Sequence, residues 1–194
     1  MIGACRDRAP AALLSAEAES EPPTGIPCSS PDATFAALVA EAKARDLWIA
    51  VHVGPGHQTR QAALAGVTTV EHGVRSGNSI DDVTVQALVD NRVVYVATLG
   101  HEPDGHLAIP ALYAAGVLFG VGTDEGDYHD ELARLAAAGV PPADVLIAAT
   151  RNGALALHRD GELGTIEEGK LADLVFVRGA PWTDVADARN VVAV

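Results

Sequence analysis

Two histidines and one aspartate, each at the end of an apolar run, are the residues of this chain whose types and spacing could do chemistry. His52 ends the run WIAVH, His72 ends VTTVEH, and Asp124 ends FGVGTD. Imidazole nitrogens and carboxylate oxygens bind zinc and similar divalent ions. A metal ion lowers the pKa of its bound water to about 7, and a nearby aspartate can accept the proton that this water releases. The three residues therefore supply the parts for metal-assisted hydrolysis.

The elements that must position these residues are β-strands, each followed by a helix. The pattern of apolar run, Gly/Pro turn and helix occurs four times, at about 20 to 30 residues per unit, and predicts parallel strands with right-handed crossovers. Parallel strands end on one shared face, so we expect the three side chains to converge there. The predicted strands span residues 47–53, 66–72, 93–99 and 116–123, and their helices include residues 62–64, 83–89, 109–115 and 131–138.

Four such units without a glycine-rich nucleotide fingerprint are typical of half of an eight-unit barrel. A further helix is predicted before them, from Pro31 to about Asp46, because serines and an acidic residue flank that proline. Two helical segments follow the fourth unit, and a small β element is predicted for 161–177. The domain prediction is a poorly ordered segment at 1–29, a barrel portion at 30–158 and a β portion at 159–194.

Composition narrows the class of protein. The formal net charge of -13 argues against nucleic acid as a partner. The 48% of hydrophobic residues suffices for one core, and no apolar stretch approaches the roughly 20 residues of a membrane span. The N-terminus lacks a signal pattern, so a cytoplasmic location is expected. Cys5 and Cys28 are interpreted as incidental free thiols or as a disulfide, since no motif supports a metal role for them.

The ordered series of motifs resembles the C-terminal portion of the amidohydrolase superfamily, in its imidazolonepropionase-like and Xaa-Pro dipeptidase-like branch. The resemblance covers about residues 31–194, and the series is specific although each motif alone is weak. The motifs are VH at 51–52, GVTTVEHG at 66–73, GTD at 122–124, AATRNGA at 148–154 and GTIEEGKLADL at 164–174.

The resemblance implies an α/β fold: the C-terminal half of a TIM-like (β/α)8 barrel, with four parallel βα units, followed by part of a small β-sandwich. It implies that His52 and His72 are metal ligands, and that Asp124 binds metal and shuttles the proton. His129 would lie on the substrate side. The implied cofactor is one or two divalent ions, with zinc expected first. The implied activity is hydrolysis of a carbon–nitrogen bond in a small amide, cyclic amide or dipeptide.

The chain also departs from the family pattern. It contains no His-x-His pair, and neither Lys43 nor Lys170 stands where the family carries its strand-four lysine. We therefore expect a truncated form whose activity on its own is an open question. The alternative is a catalytically inactive half-barrel that acts as an interaction or oligomerisation module, with a homo-oligomer formed through the exposed barrel edges.

Plainer interpretations accompany these assignments. His52 and His72 could be strand-end histidines satisfied by backbone groups, and Asp124 could be a helix cap or a loop acid. Glu71, beside His72, is expected to be structural because it points to the other side of its strand. The three remaining histidines at this face are expected to be solvated; they are His57, His101 and His106.

Overall fold

A five-stranded parallel sheet forms the centre of the molecule. The computed structural model describes residues 12–15, 31–73, 80–100 and 105–194. The strands lie in chain order, and each pairs in parallel with the next. They are β1 (Ala12–Ser15), β2 (Ile49–His52), β3 (Thr69–His72), β4 (Val94–Ala97) and β5 (Leu118–Val121). The prediction of four parallel strands separated by helices is confirmed by β2 to β5.

The helices lie where they were predicted, and the structure defines the residues at which each begins and ends. Asp81 and Asp127 cap two of them by accepting hydrogen bonds from the backbone N–H groups of Thr84 (2.8 Å) and Asp130 (3.0 Å). No helix in the described ranges is both long enough and apolar enough to cross a membrane. The helices are α1 (Pro31–Ala44), α2 (Gly56–Ala65), α3 (Asp82–Asp90), α4 (Ile109–Ala114), α5 (Tyr128–Ala137), α6 (Pro142–Ala149) and α7 (Arg151–Ala156).

The core lies between the sheet and its helices. Val51 and Val70 are fully buried and Tyr95 is 1% exposed, and all three belong to one apolar cluster with residues of α2, α3, α4 and α5. All four residues of β4 are buried, as expected for a central parallel strand covered on both faces. This packing fixes the level at which each strand ends, and therefore the positions of the residues that follow the strands.

The strand β1 was not predicted, since no element was expected within residues 1–29. It pairs with β2 from Ala12 opposite Ile49 to Ser15 opposite His52. A run of four residues is too short to show a strand period in the sequence, so its pairing with β2 defines it. The other residues of 1–29, with Cys5 and Cys28, lie outside the described part of the chain. Their order and thiol state stay predictions.

The C-terminal region contains less strand than predicted. The strands β6 (Phe176–Val177) and β7 (Val191–Ala193) form a two-stranded antiparallel sheet. Residues 164–174 form turns around Lys170, whose Nζ donates to the carbonyl oxygen of Asp160 (2.7 Å) and to Oγ1 of Thr165 (2.5 Å). That motif is therefore a structural turn. Membership of a β-sandwich stays a prediction, as does a cytoplasmic location.

Candidate functional site

The carboxyl ends of β2 and β3 bring two imidazole rings together. The ring centroids of His52 and His72 lie 4.6 Å apart with their planes at 63°. Both side chains are half-buried. Zinc–nitrogen bonds are about 2.0–2.1 Å long, so rings in contact are close enough for one nitrogen of each to bind a shared ion. The sequence predicted that both histidines lie at this face, and the structure places them in contact.

The backbone at two predicted site residues is left-handed. Five non-glycine residues in the described ranges have positive φ. Three of them, Asp46, Arg92 and His158, follow the C-terminal ends of helices, where a left-handed residue is common. The other two are His72 (φ 70°) and Asp124 (φ 53°), which lie at or after strand ends. A positive φ is unfavourable for residues other than glycine, and residues that adopt it are often found at functional sites.

A threonine orients the ring of His72. Nδ1 of His72 lies 2.9 Å from Oγ1 of Thr98, a residue that is only 3% exposed. Because Nδ1 is engaged, Nε2 is the ring nitrogen of His72 that could bind a metal ion. The sequence analysis missed Thr98. The signal for Thr98 in the sequence was its place directly after the apolar run of β4, at the level where His72 ends the neighbouring strand β3.

The turn after β3 needs a residue without a side chain. Gly73 has φ 74°, and a Cβ atom at this position would overlap the hydroxyl group of Tyr95. Tyr95 packs edge-to-face against Phe119, with ring centroids 5.7 Å apart. Glycine at 73 therefore allows this buried aromatic pair to lie directly beneath the residue that follows His72.

Asp124 lies in the turn after β5 and is exposed. The turn is closed by a hydrogen bond from the N–H of Gly126 to the carbonyl of Thr123 (2.8 Å). The interpretation of Asp124 as the helix cap is wrong, because Asp127 caps α5. His129 lies in the first turn of α5, half-buried, with its ring 5.9 Å from that of Tyr128.

The strand β4 separates β3 from β5, which puts their axes about 9–10 Å apart. In the part of the chain that the structure describes, no three His, Cys, Asp or Glu side chains are grouped so as to hold a metal ion. Catalytic zinc sites use three protein ligands, so the contacting imidazoles fit a partial donor set. Convergence of Asp124 and His129 with the two histidines stays a prediction.

The turn after β4 is anchored by a buried carboxylate. Glu131 of α5 is 3% exposed and accepts hydrogen bonds from the backbone N–H groups of Leu99 and Gly100, the latter at 2.9 Å. Arg134 approaches the same carboxylate at 4.0 Å. The sequence analysis missed Glu131, since nothing local distinguishes it from a solvated residue in the first turn of a helix.

The other ionisable groups near this face have less to contribute. Burial raises the pKa of Glu71, and a hydrogen bond from the hydroxyl of Thr69 opposes that rise. Thr69 lies two residues earlier on the same strand face, so this contact fits a structural role for Glu71. His57 and His106 are exposed, as expected, and His101 lies outside the described residues.

Two cavities lie away from the imidazole pair. One of about 340 Å³ lies at the amino ends of β3 and β4, between Thr68, Arg92 and His158. The other, of about 190 Å³, lies beside the edge strand β5, between Tyr113, Asp144 and other residues. Neither cavity is lined by a predicted site residue.

Known proteins match this chain in sequence and in structure. The model of the amidohydrolase family matches residues 24–194. A 5-methylthioadenosine/S-adenosylhomocysteine deaminase from Moorella thermoacetica is 35% identical over a 101-residue alignment, which covers 41% of this chain and 24% of that protein. A Xaa-Pro dipeptidase crystallised with methionine in its active site is 26% identical, with a TM-score of 0.73. A prolidase in complex with N-methylphosphonate-L-proline is 25% identical, with a TM-score of 0.69.

The aligned regions cover less than half of each relative. Each of the two solved structures covers 82% of this chain, whereas this chain covers 46% of theirs. The chain therefore spans about half the length of the solved relatives and a quarter of the curated one. The family match extends over most of the chain, including all of β2 to β5 and the imidazole pair. On that match, the chain belongs to the amidohydrolase family.

Proposed function

We propose that this chain contributes a metal-binding half-site to a hydrolase that cleaves carbon–nitrogen bonds in small molecules. The observation that carries the proposal is the contact between His52 and His72 at the carboxyl ends of adjacent parallel strands. In α/β barrels, these ends are where catalytic residues lie. A bound divalent ion, expected to be zinc, would supply a water of lowered pKa.

Each residue of the half-site has an assigned role, and Asp124 has two. His52 and His72 hold the ion through one nitrogen each, and Thr98 keeps the second ring in position. Asp124 provides the carboxylate that completes this chain's donors and accepts the proton that the attacking water loses. His129, at the start of α5, contacts the substrate. No three His, Cys, Asp or Glu side chains among the described residues are grouped so as to hold an ion, so the proposal requires either that Asp124 approach the two histidines or that a donor from outside those residues join them.

We take the proposed substrate class from the names of the relatives. A deaminase and two enzymes named for dipeptides containing proline are all named for breaking carbon–nitrogen bonds. We propose the same class of bond here, in a small amide, cyclic amide or dipeptide. The family match and the parallel sheet support this class, and the choice within it rests on loops at the strand ends.

The test measures bound metal before activity. The chain is loaded with Zn²⁺, freed of excess ion, and analysed by mass spectrometry for metal content and on panels of dipeptides and aminopurine nucleosides for turnover. His52→Ala and His72→Ala are expected to lose the metal, whereas His57→Ala is the matched control on an exposed histidine. Equal metal content in the wild-type chain and the His52→Ala/His72→Ala double variant would contradict the proposal.

A second candidate function rests on a different observation. Among the described residues, β1 pairs with β2 alone, so the outer edge of β1 has no strand partner there, whereas on β5 the carbonyl of Phe119 accepts a hydrogen bond from Nδ2 of Asn152. Unpaired edges can bind a strand of another chain. A catalytically inactive half-barrel would then serve as an oligomerisation module. Light scattering that shows a dimer in the metal-free double variant favours this candidate, and a monomer at high concentration contradicts it.

A further inference from the structure

We propose that Thr98 and Glu131 are positioning residues that set the orientation of the His72 imidazole. This inference rests on the proposed function, because it assigns both residues to the same half-site. Neither residue is a ligand or touches the reacting atoms in this proposal. Their effect passes through the turn after β4 to one ring nitrogen of His72.

The first step is the bond between Thr98 and His72. The hydroxyl Oγ1 of Thr98 lies 2.9 Å from Nδ1 of His72. A histidine that binds metal through Nε2 carries its proton on Nδ1 and donates it to such a partner, which fixes the tautomer and the ring rotation. The hydroxyl oxygen of Thr98 can accept that hydrogen bond. His72 needs this support because its backbone, at φ 70°, has left the regular strand geometry.

The second step is the anchor of Thr98 itself. The next two backbone N–H groups, those of Leu99 and Gly100, both donate to the carboxylate of Glu131. Glu131 lies more than 30 residues further along the chain, on α5. Each of the two oxygens of this carboxyl group accepts one of these bonds. The buried carboxylate therefore holds the turn that begins at Thr98 and ties it to the helix that carries His129.

The third step is the packing on the other side of Thr98. The N–H of Gly122 donates to the carbonyl of Ala97 (3.3 Å), so the end of β5 lies against the end of β4. A Cβ atom at Gly122 would lie 2.7 Å from Cγ1 of Val96 and 3.4 Å from Cγ2 of Thr98. Glycine here lets the two strands approach. The methyl group of Thr98 thus lies on the side of Gly122, directly after β5, while its hydroxyl faces His72.

We call this series of contacts, from Glu131 through Thr98 to His72, the relay, and each contact in it supports the next. The carboxylate of Glu131 holds the turn, the turn and Gly122 hold Thr98, and Thr98 holds Nδ1 of His72. With Nδ1 bonded to Thr98, Nε2 is the nitrogen of this ring that the proposal assigns to the metal ion, and the ring contacts that of His52. If Glu131 only stabilised the fold, the turn that it holds would not need to include Thr98, whose hydroxyl is bonded to the proposed ligand His72.

The experiment uses the full chain and four variants. Thr98→Val removes the hydroxyl at nearly constant shape, and Thr98→Ser restores it. Glu131→Gln replaces one acceptor oxygen by an amide nitrogen, which cannot accept a hydrogen bond. Tyr113→Phe is the matched control, because it breaks a comparable long-range bond, that of its hydroxyl to Asp144 (2.6 Å), away from the histidines.

Two readouts are taken at one pH. The first is the ¹⁵N chemical shifts of the His72 imidazole in metal-free protein, which report the tautomer. The second is the affinity for Zn²⁺ by calorimetry. We expect Thr98→Val and Glu131→Gln to move the His72 shifts, and Thr98→Val to lower Zn²⁺ affinity by about 10–100-fold, the usual effect of losing an outer-shell partner. Thr98→Ser and Tyr113→Phe are expected to match the wild-type chain in both.

The outcomes separate this inference from the proposed function. If the wild-type chain binds no Zn²⁺, the proposed function fails, and the ¹⁵N shifts alone decide whether the relay exists. If Glu131→Gln lowers thermal stability but leaves the His72 shifts unchanged, Glu131 is an anchor only and the relay is overturned. If Thr98→Val binds Zn²⁺ as tightly as Thr98→Ser, Thr98 does not position the ligand.

Discussion

The rings of His52 and His72 are in contact although strand register pairs His52 with Glu71. In a regular strand, consecutive side chains point to opposite faces, so residues 71 and 72 could not both lie beside His52. The left-handed backbone at His72 interrupts that alternation, and the bond to Thr98 holds the ring where the interruption leaves it. The imidazole pair therefore depends on a local departure from strand geometry.

Gly73→Ala is expected to disturb this arrangement. The new Cβ would overlap the Tyr95 hydroxyl, and φ 74° is unfavourable for alanine. We expect a loss of about 2–6 kcal/mol in the free energy of unfolding, the sum of a backbone strain and an overpacking cost of about 1–3 kcal/mol each. Denaturant unfolding measures it. Gly169→Ala is the control, since Gly169 has φ 88° and nothing within 4 Å of the added atom. Equal losses in the two variants would mean that Tyr95 does not press against this turn.

Asn152→Leu is expected to destabilise the fold without changing metal binding. Asn152 is 5% exposed, and its Nδ2 donates to the carbonyl of Phe119 at 2.8 Å, which ties α7 to the edge strand β5. Removing the donor leaves a buried carbonyl without this partner, at a cost of about 1–3 kcal/mol. Thermal unfolding and Zn²⁺ calorimetry on the same samples check both halves of the prediction. Unchanged stability would show that the α7 contact with β5 is dispensable.

The cap of α3 predicts a dependence of stability on acid. Hydrogen bonds from the Thr84 hydroxyl and backbone N–H, with the charge of Arg60, lower the pKa of Asp81 below its ordinary value. A carboxyl group with a lowered pKa in the folded state stabilises that state above its ordinary pKa, and the effect is lost as pH falls through the folded value.

Asp81→Asn separates charge from capping, because asparagine also caps helices. The wild-type chain is expected to be more stable than this variant near neutral pH, and the difference is expected to shrink as the solution is acidified below the ordinary pKa of aspartate. Unfolding curves at several pH values, at low salt, measure it. A difference that stays constant with pH would contradict the role of the Asp81 charge.

The sequence was most informative about the residues that end apolar runs. The runs that end at His52 and His72 predicted strands at 47–53 and 66–72, and the strands occupy 49–52 and 69–72. The predicted runs were longer because backbone hydrogen bonds between neighbouring strands continue past the strand ends, from the N–H of Thr68 to the carbonyl of Ile49 (2.9 Å) and from the N–H of Val53 to the carbonyl of Glu71 (3.3 Å). The ordered series of motifs between residues 51 and 174 also indicated the amidohydrolase family, which the family match confirms.

The residues that the sequence did not reveal act through distant partners. Thr98 bonds a residue 26 positions earlier, and Glu131 bonds backbone groups 31 and 32 positions earlier. No local pattern marks such contacts, since the tertiary fold alone brings β4, β3 and α5 together. The strand β1 was missed for the same reason, because its partner β2 lies more than 30 residues away.

The central claim is that His52 and His72 bind one divalent ion together. The most direct measurement is a titration of the ¹⁵N-labelled chain with Zn²⁺, followed through the imidazole signals of its seven histidines. We predict that the signals of His52 and His72 shift together and saturate at the same molar ratio, while those of the exposed His57 and His106 do not move with them. Signals of His52 and His72 that stay fixed while metal binds elsewhere, or that titrate independently of each other, would contradict the claim.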